Sequence, residues 1–168
     1  MSNPTVLITG ALTGIDRAAA LGGKKTSELE RENMATDIGT PEDAKAIVKS
    51  FYEGGARGEI TSFADRLADD FELFVPPSLP WGGQFNKAQY ISILPQVAST
   101  LDFARMRYVG LTAEGQHVVA LIDIGVQGTD KSVIISERWD IENGKAIRLL
   151  VAYFDPRVLL DQIKSTSN

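Results

Sequence analysis

His117-Val-Val-Ala-Leu-Ile-Asp-Ile-Gly-Val-Gln127, Lys131-Ser-Val-Ile-Ile-Ser-Glu-Arg-Trp-Asp-Ile141 and Ala146-Ile-Arg-Leu-Leu-Val-Ala-Tyr-Phe154 follow one another, separated by short turn-rich segments. All three are rich in β-branched and aromatic residues. Gly128-Thr-Asp130 and Glu142-Asn-Gly144 supply the turn chemistry between them. A further strand is expected at about 104–112, ahead of the Glu114-Gly115 turn. Four long consecutive strands of this kind read as an antiparallel meander.

Upstream the periodicity changes from two residues to helical spacing. Thr40 caps a predicted helix, Pro41 fits its first turn, and Glu42 and Asp43 suit its positive end. Ala44, Ile47, Val48, Phe51 and Tyr52 fall on one helical face, with Gly54-Gly55 expected to end the helix. A second short helix is expected to carry Ile60, Phe63 and Leu67, followed by a strand at 71–75 and a loop through Trp81-Gly82-Gly83. Asn86 caps a third predicted helix bearing Tyr90, Leu94, Val97 and Leu101, with Pro95 as a kink point. Helices followed by an antiparallel meander predict an α+β fold, the helices covering one face of a curved sheet.

The chain has 168 residues, which suits one domain with an appended segment. We place the division at 1–39, an extension and linker, and 40–168, the α+β domain. The net charge of -5 argues against nucleic-acid and anionic-membrane partners. No apolar run approaches the roughly 20 residues needed to span a bilayer. The start lacks a basic region, so the cytoplasm is the expected compartment. The absence of Cys removes thiol nucleophiles and thiolate metal sites, and the single His117 removes His-pair metal sites. No metal is expected. Asp69-Asp70 is read as turn and cap chemistry, and His117 as a solvated edge residue.

Two stretches carry family resemblances. Val6-Leu-Ile-Thr-Gly10-Ala-Leu-Thr-Gly14-Ile-Asp16 resembles the opening strand, glycine loop and helix of short-chain dehydrogenase/reductases, whose glycines admit a cofactor pyrophosphate. The last glycine position holds Asp16, and the family's Tyr-x-x-x-Lys is absent, so no NAD(P) and no other cofactor is expected.

The second resemblance spans about 41–163. Ser50-Phe-Tyr-Glu-Gly-Gly-Ala-Arg-Gly-Glu59, Leu67-Ala-Asp-Asp70, Pro80-Trp-Gly-Gly83, Trp139 before Asn143-Gly-Lys145, and Ala152-Tyr-Phe-Asp-Pro156 occur in order. Together they resemble the SnoaL-like, ketosteroid isomerase-like branch of the nuclear transport factor 2-like superfamily. The resemblance implies a cone-shaped α+β barrel: a curved sheet wrapping a long N-terminal helix around an apolar pocket, in a homodimer. Its members include isomerases, cyclases, epoxide hydrolases, dehydratases and proteins without known activity, so the fold leaves the function open.

Ketosteroid isomerases combine an Asp base with an oxyanion hole of Tyr and protonated Asp. By local motif, the Tyr position falls on Phe51, with Tyr52 adjacent and about 100° away around the helix. The base falls near Val75, and the second acid on Ser136 or Glu137. Standard steroid isomerisation is therefore not expected.

Glu137 stands in the apolar row of its strand, with Val133, Ile135, Trp139 and Ile141. Buried there, it would have a raised pKa suited to acid/base work; otherwise it pairs with Arg105 or Arg107, or lies at a frayed rim. Asp123 interrupts Val118–Ile124 and either joins Glu137 in a carboxylate pair or faces outward. Tyr153 is a ligand hydrogen-bond donor or a core or interface residue, and Trp81 a lid or a loop anchor. Asp155 is read as a cap for the last helix. Glu137, Asp123 and Tyr153 are thus the candidate catalytic residues. Phe51, Tyr52, Val75, Trp81, Tyr90, Trp139 and Phe154 are the expected ligand-binding positions. The expected function is a pocket for a small apolar molecule, a carbonyl or polycyclic compound, with or without turnover. The alternative is a non-catalytic binding or dimerisation module.

Overall fold

The computed structural model describes residues 39–59 and 64–166. The chain divides into two units, Met1–Thr36 and Asp37–Asn168, and the described residues all belong to the second. The dehydrogenase-like stretch, and residues 60–63 of the expected second helix, lie outside the described residues.

Helix α1 (Pro41–Ala56) opens with a capping box: Thr40 Oγ1 accepts from the Asp43 N–H at 3.2 Å, while the Asp43 carboxylate accepts from the Thr40 N–H at 2.8 Å. Ala44, Val48, Phe51 and Tyr52 form its buried stripe. Gly54-Gly55 does not end the helix. It stops at a Schellman turn, in which Gly58 adopts φ +71° while its N–H reaches Gly55 O and the Glu59 N–H reaches Gly54 O. The positive φ is what requires glycine, and Gly58 rather than Gly54 or Gly55 provides it.

Leu67 belongs not to a helix but to β1 (Leu67–Val75), where it is fully buried. The loop through Trp81 leads into a short strand the sequence did not suggest, β2 (Gly83–Asn86), which pairs antiparallel with β1. Asn86 then caps α2 (Lys87–Thr100) in a reciprocal box with Gln89. Pro95 lies within this helix. Leu101, expected on the helix, instead begins β3 (Leu101–Glu114).

The meander continues through β4 (His117–Val126), β5 (Ser132–Glu142) and β6 (Lys145–Tyr153). Asn143 and Gly144 both take positive φ, as a two-residue hairpin with primed turn geometry needs. Asp155 accepts from the Arg157 N–H at 3.1 Å at the start of α3 (Arg157–Thr166). Its carboxyl is held at about 2 by its hydrogen bonds with Arg157.

The six strands form one sheet in the order β2-β1-β6-β5-β4-β3. β1 and β6 run parallel, and the other neighbouring pairs are antiparallel. The sheet is curved and unclosed, so β2 and β3 remain edges. Register shifts along β3 add local bends of the kind that curve a sheet. Helices α1 and α2 pack on the strands. The inward row of β4 is Val118, Ala120, Ile122 and Ile124, and that of β5 includes Val133, Ile135, Trp139 and Ile141. These rows and the helices enclose the core.

Candidate functional site

The period-2 alternation that builds the core leaves a cavity of about 130 Å³ between the helices and the inward sheet face. Its walls are apolar residues from α1, α2 and all the strands except β2, together with Trp81 from the connecting loop. Ile93, Leu94 and Val97 come from α2, and Phe103, Ile122 and Ile124 from β3 and β4. The sequence reading placed Leu94 and Val97 on the third predicted helix but not among the ligand-binding positions. Helical spacing shows which residues turn inward but not that space remains beneath them.

Glu137 projects into this cavity from β5, as its place in the apolar row suggested. Its partner is neither Arg105 nor Arg107. Arg105 is engaged by Asp102, Val126 O and Thr129 O, and Arg107 by Asp123. Instead the Tyr52 hydroxyl donates to Glu137 Oε2. The Trp139 indole N–H in turn donates to the Tyr52 oxygen at 3.1 Å. An indole N–H can only donate, so it occupies a lone pair of Tyr52 while the tyrosine's own hydrogen is directed to the carboxyl. Phe51 stacks on Trp139 with centroids 4.8 Å apart and an interplanar angle of 9°. Tyr52 meets Trp139 nearly edge-on, at 83°. Phe51 and Tyr52 therefore both serve the cavity, because a buried helical stripe is wide enough to include neighbours about 100° apart.

Burial pushes the Glu137 carboxyl above the usual range, against the smaller opposing effects of its Tyr52 and Trp139 hydrogen bonds. Burial likewise raises the Tyr52 phenol well above normal, and the Glu137 charge raises it further. Tyr90 and Tyr153 are raised by burial first and by the same carboxylate second. A hydrogen bond from Trp81 acts on Tyr153 in the opposite direction. Val75 lines the wall where the isomerase comparison would have a base. Glu137 is thus the one carboxyl, and no Lys, Arg or His is present, among the described residues lining the cavity.

Two candidates lie elsewhere. Asp123 alternates to the sheet's other face, where Arg107 holds it through Nε at 3.0 Å and a terminal nitrogen at 2.6 Å. A Ser132 hydrogen bond, with Arg107 next, lowers its carboxyl. It pairs in register with Ile134, whereas Glu137 pairs with Ala120, so the two carboxylates do not meet across the strands. Phe154 follows the end of β6 and is 70% exposed, outside the cavity lining. Strand parity turns both Asp123 and Phe154 to the outer face, Phe154 while its N–H still donates to Ile134 O at 3.0 Å.

No family model and no curated protein matches the sequence. Solved structures do. An NTF2-like protein of unknown function from Cytophaga hutchinsonii is 22% identical with a TM-score of 0.55, over 76% of this chain and 99% of that one. A candidate ketosteroid isomerase from Kribbella flavida is 14% identical with a TM-score of 0.59, over 68% and 80%. The fold is the NTF2-like, ketosteroid isomerase-like fold. TerC, co-crystallised with polyporic acid, is 21% identical with a TM-score of 0.61, over 73% and 98%.

On this NTF2-like fold the remaining polar residues sit outside the cavity. His117 Nδ1 lies 2.7 Å from Asp140 Oδ1, which Arg138 also contacts at 3.1 Å. Asp69 meets Lys87 at 3.3 Å. Among the described residues, no cluster of three or more His, Asp or Glu is arranged to hold a metal, and no helix is long and apolar enough to cross a membrane.

Proposed function

We propose that this protein binds a small, mostly apolar molecule in the cavity, and that Glu137, oriented by Tyr52, exchanges a proton with it. The observation that carries this reading is the Tyr52 hydroxyl donating to a half-buried carboxyl that lines an apolar cavity. A carboxyl with a raised pKa stays protonated closer to neutral pH, where it can give or take a proton. Tyr153 adds a hydroxyl for a ligand oxygen or nitrogen. Phe51, Val75, Trp81, Tyr90 and Trp139 supply the walls. With Val75 in the wall and Asp123 outside, a single acid/base group is favoured over a carboxylate pair. Isomerisation, cyclisation and hydrolysis all remain within that chemistry.

Turnover of candidate substrates by the wild type and by Glu137→Gln tests the proposal. Ligand binding retained with turnover abolished supports an acid/base enzyme. Turnover that survives the substitution removes Glu137 from the mechanism, and binding without turnover in either protein leaves a ligand carrier.

A homodimer through the outer sheet face belongs to the same proposal. Val119, Ile134 and Leu150 are exposed large apolar residues on three adjacent strands, and Arg138 pairs in register with both Val119 and Leu150. Sedimentation of the wild type and of Leu150→Glu distinguishes a dimer through this face from a monomer. We further propose that residues 1–39 are an extension to the domain and that the protein works in the cytoplasm, a setting its Cys-free sequence suits.

A further inference from the structure

We infer that the molecule taken by this cavity is a single-ring organic amine, held as its ammonium ion against Glu137 and among the surrounding aromatic side chains. The inference rests on the pocket reading above and adds the ligand's size and charge.

Size follows from volume. An apolar protein cavity of roughly 150 Å³ accommodates benzene. The present cavity, at about 130 Å³, is of single-ring size, with room for one ring and not for a fused polycycle.

Charge follows from the lining. Glu137 is the one carboxyl there, and the described lining residues include no Lys, Arg or His. An anionic ligand would find no cation in the described lining to neutralise it, whether Glu137 is protonated or ionised, which is costly in an apolar site. A cation supplies the missing partner. The Trp139-to-Tyr52-to-Glu137 chain delivers a hydrogen to the carboxyl, an arrangement that suits the charged form. The groups around it from the packed elements are Tyr52 on α1, Tyr90 on α2, Tyr108 on β3 and Tyr153 on β6. None of these is a cation.

The walls favour a cation as well. Tyr52, Trp81, Tyr90, Trp139 and Tyr153 bring aromatic surfaces to the cavity from five different elements and loops. Ring faces attract an ammonium within about 6 Å, more strongly where water is excluded. A neutral alcohol of the same shape would gain the burial but neither the ion pair nor this attraction.

Calorimetry at neutral pH on the full chain tests the inference with benzylamine, benzyl alcohol and benzoate. Benzylamine is expected to bind the wild type at least about tenfold more tightly than benzyl alcohol, with benzoate weakest. Glu137→Gln should weaken benzylamine by about tenfold or more and change benzyl alcohol by less than about threefold. Benzyl alcohol binding as tightly as benzylamine to the wild type overturns the amine inference while leaving the pocket reading intact. That comparison needs no variant, so it holds even if the substituted protein misfolds. Benzylamine binding that ignores the substitution also overturns the inference, because it places the amine away from Glu137. Failure of all three probes to bind overturns both the amine inference and the pocket reading for ligands of this size.

Discussion

The Tyr52 hydroxyl on α1 donates to the Glu137 carboxyl on β5, across 85 positions of sequence, and takes a hydrogen bond from Trp139 in turn. The helix and the sheet thus share one polar chain inside an otherwise apolar enclosure. Breaking it at different points has different consequences.

Glu137→Gln should change how stability depends on pH. Burial raises the folded-state value above 4.5, so the folded protein holds the proton more tightly than the unfolded chain. That contribution is complete below 4.5 and is lost as pH rises through the folded value. Melting temperatures measured between about pH 4 and 8 should fall less steeply with pH in the Gln variant than in the wild type. Parallel curves would show that Glu137 is not a buried acid.

Tyr52→Phe removes the donor to Glu137 and the acceptor for Trp139 without changing the ring. Leaving buried polar groups without a partner costs about 1–3 kcal/mol. Urea denaturation should show a loss of that size with an unchanged slope. An effect below a few tenths of a kcal/mol would mean that water replaces the hydroxyl at no cost.

Asp123→Asn should leave ligand affinity unchanged, since Asp123 lies on the sheet's other face. Arg107 has a side chain 76% exposed but that of Asp123 is only 11% exposed, so a double-mutant cycle on the pair should give about 1 kcal/mol or more, at or above the top of the range for exposed pairs. Loss of ligand binding in Asp123→Asn, with the fold intact, would contradict the assignment of Glu137 as the sole cavity acid.

Gly82→Ala tests the loop that carries Trp81. A Cβ at Gly82 would sit 2.2 Å from Pro76 O and 2.8 Å from Pro77 Cα, both backbone atoms that cannot rotate aside. Overpacking typically costs about 1–3 kcal/mol, and the rigid neighbours put this site at the upper end. Near-ultraviolet circular dichroism should report a disturbed Trp81, and a wild-type spectrum with full stability would refute the contact.

Local chemistry made much of the fold legible. Thr40 and Asn86 cap helices because their side chains satisfy nearby N–H groups, and Asn143-Gly144 turns a hairpin because both tolerate positive φ. Strand parity placed Glu137 among the inward apolar residues. β2 was not legible: four residues with Gly83 at the front carry little strand signal, and β1 supplies the pairing that orders them. Gly54-Gly55 read as a helix end because propensity is local, whereas the helix runs on to Ala56 and turns at Gly58.

The sequence alone determined the α+β order, the caps and turns, and the presence of an acid in an apolar row, because each depends on neighbours a few residues apart. Tertiary structure decided that Tyr52 joins Phe51 at the cavity, that Tyr52 rather than an arginine meets Glu137, and that Asp123 is held outside by Arg107. It also decided how much space remains between helix and sheet. These outcomes depend on how α1 and α2 lie over the strands, a relation set by packing between distant segments that no local spacing encodes.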